Sequence, residues 1–125
     1  MPYAIRITVG QLVLDAELND TAIARNAYRA LPVASTVSRW GDEIYFTMRT
    51  TADEEDPMRT EMEIGELAFW PPGQAFCIFW GPTPASQGNK PAAISPVVPI
   101  GKIVSDLTGL DGVPDGDTIR VEPCL

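Results

Sequence analysis

Short stretches of β-branched and aromatic residues, each ended by glycine, proline or aspartate, recur along most of the chain. Turn signals at this spacing are typical of a domain built from many short strands. The first example is Tyr3–Val9 followed by residues 11–18, with Gly10 between them. Both segments alternate apolar and polar residues, so they predict an antiparallel hairpin. About eight strands of this kind are expected, and the fold is predicted to be mostly β.

One segment departs from the β pattern. Apolar residues recur at helical spacing through residues 23–31, and Pro32 then prevents the helix from continuing. Asn19 and Asp20 precede the segment, and their side chains suit an N-cap. The sequence therefore predicts one main α-helix of about three turns.

The middle of the chain predicts further strands around an acidic loop. Residues 33–40 and 43–48 flank a Gly-Asp break and are expected to form a second hairpin. Residues 50–59, with four acidic side chains at 53–56, are expected to form a solvated and mobile loop. Two apolar segments, 67–70 and 75–80, are expected to be strands that hold much of the core.

Residues 81–99 are unusually rich in proline. Proline lacks a backbone donor, so this density argues against a central strand and predicts an irregular excursion. Long irregular segments in compact domains are often functional, which makes this one a candidate binding rim. A short strand at 100–104 and a closing strand at 118–122 are expected to follow. The prolines of the excursion are Pro82, Pro84, Pro91, Pro96 and Pro99.

Length and charge limit the classes of function. A chain of 125 residues suits one domain, residues 1–125. The net charge of -8 would repel a phosphate backbone, so nucleic acid is not an expected partner. No apolar run is long enough for a membrane helix and no signal peptide is evident, so we expect no membrane partner and a cytoplasmic location. Cys77 and Cys124 are expected to be free thiols, with Cys77 a small buried apolar residue.

Catalytic patterns are scarce. The chain has no histidine, the usual base for a serine or cysteine nucleophile, and no glycine-rich phosphate loop or cysteine cluster. We therefore expect no metal site and no cofactor, and whether the protein is an enzyme stays open. Acidic residues at 42–43 and 61–66 favour a solvated face. Among them Glu43 stands out, since it lies in a strand beside Tyr45 and could reach into a binding site.

The aromatic residues of positions 69–80 cannot all face one core. Alternation along a strand sends Phe79 and Trp80 to opposite faces. One of them is expected to lie away from the main interior, either buried beneath the proline-rich excursion or facing a ligand.

Several motifs of residues 40–103 occur in the order of a known family. They are Trp40-Gly41-Asp42-Glu43-Ile44-Tyr45-Phe46, Gly65-Glu66, Phe69-Trp70-Pro71-Pro72-Gly73, Ala75, Cys77, Phe79, Gly81, Thr83-Pro84, Ser86 and Ile100-Gly101-Lys102-Ile103. This pattern resembles the bacterial and archaeal cyclophilin-like domain family of unknown function. The resemblance implies a closed eight-stranded cyclophilin-like β-barrel with one main α-helix. Closure is also favoured because a closed barrel has no unpaired edges.

The sequence departs from its relatives in two ways. Where family members read Ser-Pro-Val-Asn-Val-Ile-Gly, this chain carries Val98 and Pro99 in place of the asparagine and the second valine, so a site lined by that asparagine would differ here. Prolyl isomerases of this fold carry a Phe-His-Arg segment that is absent from this chain, which argues against a standard isomerase.

Three functions are therefore considered. The first is binding of a small apolar ligand or an extended peptide. The second is a divergent prolyl isomerase that uses Arg39 or Arg49 to donate a hydrogen bond to the twisted amide. The third is a homo-oligomeric interaction module with an exposed Trp80 or Phe76 patch. The predicted ligand-binding residues are Trp40, Glu43, Tyr45, Trp70, Phe79, Thr83, Ser86 and Ser95.

Overall fold

The computed structural model describes residues 3–51 and 55–124. It contains ten strands, one α-helix and one short 3-10 helix. The strands are β1 Tyr3–Val9, β2 Leu12–Leu18, β3 Val33–Thr36, β4 Ser38–Arg39, β5 Glu43–Thr47, β6 Arg59–Glu61, β7 Glu66–Trp70, β8 Ala75–Phe79, β9 Ala92–Ile103 and β10 Thr118–Pro123. The helix α1 spans Ala22–Arg29, and the 3-10 helix spans Leu110–Gly112.

The strands form one antiparallel sheet in the order β3-β10-β1-β2-β9-β7-β8-β5-β4, with β6 attached to β9. The mostly β fold with one α-helix is therefore as predicted. The closed eight-stranded barrel is wrong, because the sheet is open. Its two end strands follow each other along the chain, separated only by Val37, and among the described residues no ladder joins them. With four and two residues, β3 and β4 are short enough to leave a sheet edge unpaired.

The proline-rich segment also differs from the prediction. Instead of an irregular excursion up to Pro99, strand β9 begins at Ala92 and pairs with β2, β6 and β7. Strand β9 tolerates Pro96 and Pro99 because its ladders with β6 and β7 are irregular near these residues. The pairing with β7 shifts between Leu67 and Ala68, beside Pro99. The pairing with β6 also shifts register, because Arg59 lies opposite Val97 and Glu61 lies opposite Ala92. An advance of two residues on β6 therefore spans five residues on β9. We call residues 93–97, which include Pro96, the β9 bulge.

The helix is shorter than expected and has a different cap. It covers eight residues, or about two turns, and Thr21 is its N-cap. The Thr21 Oγ1 accepts a hydrogen bond from the Ala24 amide at 3.3 Å. Asn19, a predicted cap, instead accepts hydrogen bonds from the Thr21 amide and hydroxyl at 3.1 and 2.8 Å. The predicted cap residues Asn19 and Asp20 thus lie two residues and one residue before the capping position.

Part of the acidic loop also supports the helix. Both carboxylate oxygens of Asp56 accept hydrogen bonds from backbone amides of the first turn, those of Ala22 and Ile23, each at 3.1 Å. These amides have no partner within the helix, and the helix N-terminus favours a negative charge. Asp53 and Glu54, for which a mobile solvated loop was expected, lie outside the described residues.

The sheet buries side chains on both faces around β8. A large cluster of 25 buried residues, which we call the main core, includes Phe76, Ile78 and Trp80. A second cluster of seven, on the opposite face, includes Cys77 and Phe79. Phe79 is therefore the aromatic residue that turns away from the main interior, buried together with Ala93 and Val97 of β9, as the alternation predicted. Within the described ranges, no helix has the length and apolar character needed to cross a membrane.

Candidate functional site

The base of the candidate site is one face of the β5–β8–β7 part of the sheet. Tyr45 lies directly opposite Cys77, which in turn lies opposite Ala68 on β7. Side chains two positions apart on a strand share a face, so Glu43 and Trp70 lie on this face too. The sequence alternation therefore gathers a carboxyl group, a thiol and two aromatic rings on one surface.

The β9 bulge covers this surface and leaves a cavity of about 120 Å³, which we call the cleft. The bulge contributes Ala93, Ile94 and Val97, and Trp40 comes from the turn that precedes β5. Gly41 makes that turn possible, since its φ of +62° favours glycine and a Cβ there would lie 2.9 Å from Pro84 and Thr83. The cleft is lined by Trp40, Glu43, Tyr45, Trp70, Cys77, Ala93, Ile94 and Val97.

The indole of Trp70 is held in place from two sides. Its Nε1 donates a hydrogen bond of 2.6 Å to the Ser95 hydroxyl in the β9 bulge. Gly73, in the turn that follows β7, packs so closely on the ring that a Cβ would lie 2.5 Å from Cζ3. This wall of the cleft is therefore preorganised, which lowers the entropy that a ligand must overcome on binding.

Glu43 is the main electrostatic feature of the cleft. It is only 6% exposed, and burial raises the pKa of its carboxyl to about 7, a shift that a hydrogen bond with Cys77 partly opposes. The same burial, with the Glu43 charge nearby, raises the pKa of the Cys77 thiol well above its usual value. Near neutral pH Glu43 can therefore donate or accept a proton, whereas Cys77 stays a neutral and poorly nucleophilic thiol.

Nearby basic side chains are engaged away from Glu43. Arg59 of β6 forms a bidentate pair with Glu66 of β7, one of whose bonds measures 2.9 Å. Lys90 contacts Glu63 at 3.1 Å and Glu61 at 3.7 Å. None of the residues that line the cleft is basic. The carboxyl of Glu43 thus lacks a counter-ion from the lining.

The structure places the predicted site residues in three groups. Trp40, Glu43, Tyr45 and Trp70 all line the cleft, and Ser95 orients Trp70. Phe79 is completely buried in the second cluster and does not line the cavity.

Thr83 and Ser86 stabilise the loop that precedes β9 through hydrogen bonds. The Ser86 hydroxyl accepts a hydrogen bond from the Thr83 amide at 2.9 Å and donates one to the Lys90 carbonyl at 2.8 Å. The Thr83 hydroxyl donates to the Ala92 carbonyl at the start of β9. These two side chains therefore support the cover of the cleft without lining it.

Four lining residues were not among the predicted site residues. Cys77 was interpreted only as a small buried apolar residue, although its position two residues before Phe79 puts it on the predicted binding face. Ala93, Ile94 and Val97 lie in a segment that was predicted to be irregular. The proline-rich segment was predicted to be a candidate binding rim, but no local signal singles out these three residues, because their position depends on pairing with β6.

Two of the larger grooves have less distinctive chemistry. One of about 360 Å³ lies beside α1 and includes a single aromatic residue, Phe69. The other, about 520 Å³, is lined by residues that include the paired Glu17 and Lys102, and it includes no aromatic residue. Both are more open to solvent than the cleft. Among the described residues, no group of three or more His, Cys, Asp or Glu side chains could hold a metal ion.

Arg39, a residue of the isomerase hypothesis, is occupied by structural contacts. Its guanidinium donates hydrogen bonds to the carbonyls of Gly41, Asp111 and Val113 at 2.8 to 3.0 Å, and lies 5.1 Å from the centroid of the Trp80 ring. Arg49, the other residue, is exposed.

The surface patch of the oligomer hypothesis is absent. Trp80 and Phe76 are only 8% and 1% exposed, and both belong to the main core. The correction has a simple cause, because alternation along β8 turns both side chains to the face that packs against the larger cluster. Self-association through another surface stays a prediction.

Comparisons with known proteins agree with the resemblance seen in the sequence. Residues 3–122 match the model of a family described as cyclophilin-like. The structure is similar to the solution structure of a hypothetical protein from Archaeoglobus fulgidus, with a TM-score of 0.83 and 38% sequence identity over 98% of this chain and 95% of that one. No curated protein matches the chain. The match to the family model spans nearly the whole sequence, and the chain therefore belongs to the cyclophilin-like family.

Proposed function

We propose that this protein binds a small, largely apolar molecule, or an apolar group of a larger one, in the cleft. The observation that carries the proposal is the grouping of three aromatic side chains, those of Trp40, Tyr45 and Trp70, around a cavity that contains one buried carboxyl group. Binding sites are commonly concave, mostly apolar and supplied with few polar groups. The cleft combines these properties.

The size of the cleft favours a small ligand over a long peptide. An apolar cavity of about 150 Å³ can hold benzene, so 120 Å³ suits a group slightly smaller than that ring. An extended peptide, the other ligand class expected from the sequence, could place one side chain here. The exposed Ile94, at 67%, would then provide additional apolar contact at the rim.

A divergent prolyl isomerase has less support. Such an enzyme needs an arginine free to donate to the amide of the substrate, and Arg39 already donates to three backbone carbonyls. Arg49 is exposed and does not line the cleft. We therefore favour binding over isomerisation.

Indole N–H signals in two-dimensional NMR test the proposal, because the chain has three tryptophans. Two of them line the cleft, and Trp80 lies in the main core as an internal control. Titration with a neutral probe, 3,3-dimethylbutan-1-ol, is expected to shift the signals of Trp40 and Trp70 and to leave that of Trp80 unchanged.

A cavity-filling variant makes the test specific. Ala93→Leu fills the cleft and is expected to abolish the shifts, whereas Ala34→Leu, at an exposed site on β3, is expected to leave them unchanged. If a set of neutral apolar probes leaves the Trp40 and Trp70 signals in place, or if Ala93→Leu binds as the wild type does, the proposal is wrong.

A further inference from the structure

The chemistry of the cleft narrows the class of ligand beyond its size and apolar character. Resting on the proposed function, we infer that the cleft binds a small alkylammonium group, enclosed by the rings of Trp40, Tyr45 and Trp70, with Glu43 as its counter-ion. The group would belong to a quaternary or tertiary amine of about the size of trimethylammonium.

The aromatic lining is the first observation. The faces of aromatic rings carry a partial negative charge that attracts organic cations, and tryptophan is the most effective ring. Two of the three rings in the cleft are tryptophans, and Trp70 is fixed by Ser95 and Gly73. Cages of this composition are a general means of recognising methylated ammonium groups.

The second observation is that the carboxyl of Glu43 has no counter-ion in the lining of the cleft. Glu43 is buried in the cavity wall without a basic neighbour in the lining, an arrangement that costs free energy when the carboxyl ionises. A cation in the cleft would supply the missing partner. An anionic ligand, by contrast, would meet a negative charge and no basic side chain.

The remaining apolar contacts are the third observation. Ala93, Ile94 and Val97 offer methyl groups and no hydrogen-bond acceptors from their side chains, which suits N-methyl groups better than a strongly hydrated primary ammonium ion. The cleft is partly open to solvent, so the methyl groups of a trimethylammonium group can enter it while the rest of the ligand stays outside. The overall charge of -8 would further raise the local concentration of cations.

Binding should be coupled to the protonation of Glu43. The other titratable side chains of the lining are Tyr45 and Cys77, and the segment Ala92–Val97 that covers it contributes none. Around the cleft, Arg39 is paired with Asp42, Arg59 with Glu66, and Lys90 with Glu61 and Glu63. A bound cation favours the carboxylate, so the proton of Glu43 leaves to solvent when the ligand binds.

The test compares choline with 3,3-dimethylbutan-1-ol, which has the same shape but a neutral carbon in place of nitrogen. Calorimetry on the intact protein at pH 8 is expected to show choline binding at least about tenfold more tightly than the neutral alcohol. In Glu43→Gln, and at pH 5, this preference is expected to fall by at least about threefold, because only the attraction of the cation to the aromatic rings then remains. The matched variant Glu122→Gln, which removes one charge on the distant strand β10, is expected to keep it.

A second readout follows the proton. At pH 7 about half of the Glu43 carboxyls are protonated, so choline should release up to about half a proton per site. Calorimetry in two buffers that differ in ionisation enthalpy measures this number, and Glu43→Gln is expected to reduce it to zero.

Failure of the inference differs from failure of the proposed function. If the neutral alcohol binds at least as tightly as choline at pH 8, or if Glu43→Gln keeps the full wild-type preference for choline, the inference that the rings and Glu43 together bind an alkylammonium group is wrong while binding in the cleft stands. If choline leaves the Trp40 and Trp70 indole signals unchanged, the assignment is also wrong, and the neutral probe alone decides the proposed function.

Discussion

The two faces of strand β8 have the same backbone and different chemistry. Phe76 and Ile78 face the main core, a cluster of 25 buried apolar residues in which Phe76 stacks on Phe46 with ring centroids 5.1 Å apart. Cys77 and Phe79 face a cluster of only seven, next to an open cavity and the buried Glu43.

This difference separates the face that supplies most of the packing from the face that contains the cleft. The main core is large and apolar, and dense packing of this kind supplies most of the free energy of folding. The opposite face forgoes contacts around its cavity and keeps an ionisable group out of water, both of which cost stability. Such costs are typical of binding sites, where stability is exchanged for a preorganised cavity.

The largest expected effect concerns packing on the two faces. Phe76→Ala should reduce the free energy of unfolding by about 3–5 kcal/mol, because it leaves a cavity in the main core. Tyr45→Ala removes a ring that is half-buried beside existing empty space, so it should cost less than about 2 kcal/mol. Urea unfolding followed by circular dichroism measures both values. Equal losses in the two variants would show that both faces are packed equally tightly, which would contradict the difference between them.

The next effect concerns the charge of Glu43. The pKa of this carboxyl rises from its usual 4.5 to about 7 on folding, so the folded protein binds more protons between these pH values. Stability should therefore be highest, as far as Glu43 is concerned, below about pH 4.5, and decrease as pH rises through 7. Glu43→Gln removes this loss and should be more stable than the wild type by up to about 3 kcal/mol at pH 8, with little difference at pH 4.

The stability difference between variant and wild type isolates Glu43 from the other carboxyl groups. Thermal or urea unfolding at pH 4, 6 and 8 provides it. Glu122→Gln, a change of equal charge at a partly exposed residue of β10, should show no comparable increase with pH. A Glu43→Gln protein that gains nothing at pH 8 would show that the carboxyl is well solvated.

The smallest expected effect concerns the position of the Trp70 ring. In Gly73→Ala the new Cβ would lie 2.5 Å from Trp70 Cζ3, so the ring must shift, which disturbs its hydrogen bond to Ser95. We expect a stability loss of about 1 kcal/mol and a several-fold weaker affinity for the probe that binds the cleft. Gly88→Ala, where a Cβ would meet nothing within 4 Å, should change neither. Unchanged binding in Gly73→Ala would show that the position of this ring does not control the cleft.

Local patterns in the sequence were sufficient for several elements. Alternation and turn residues predicted the hairpin of β1 and β2, and they predicted that Phe79 and Trp80 lie on opposite faces. The strand position of Glu43 beside Tyr45 predicted a carboxyl group on the face that lines the cleft. In each case the deciding interaction lies within a few residues along the chain.

Long-range pairing explains what the sequence did not reveal. The prolines of β9 argued against a strand, but the ladders with β6 and β7 shift register where Pro96 and Pro99 occur. Closure of the sheet depended on whether its end strands β3 and β4 pair with each other, which local propensity does not determine. The proline-rich segment was predicted to form a binding rim, but the place of Ile94 in the lining was not predicted, since it depends on the register shift between β6 and β9.

The ionisation of Glu43 provides the most direct test, because the cleft is a dry binding site only if this carboxyl is shielded from water. A pH titration of its side-chain carboxyl carbon by ¹³C NMR, assigned with Glu43→Gln, gives the pKa in the intact protein. We expect a midpoint at about 7. A midpoint near the usual 4.5 would contradict the account, because it would show that Glu43 is solvated and that the cleft is an ordinary wet surface.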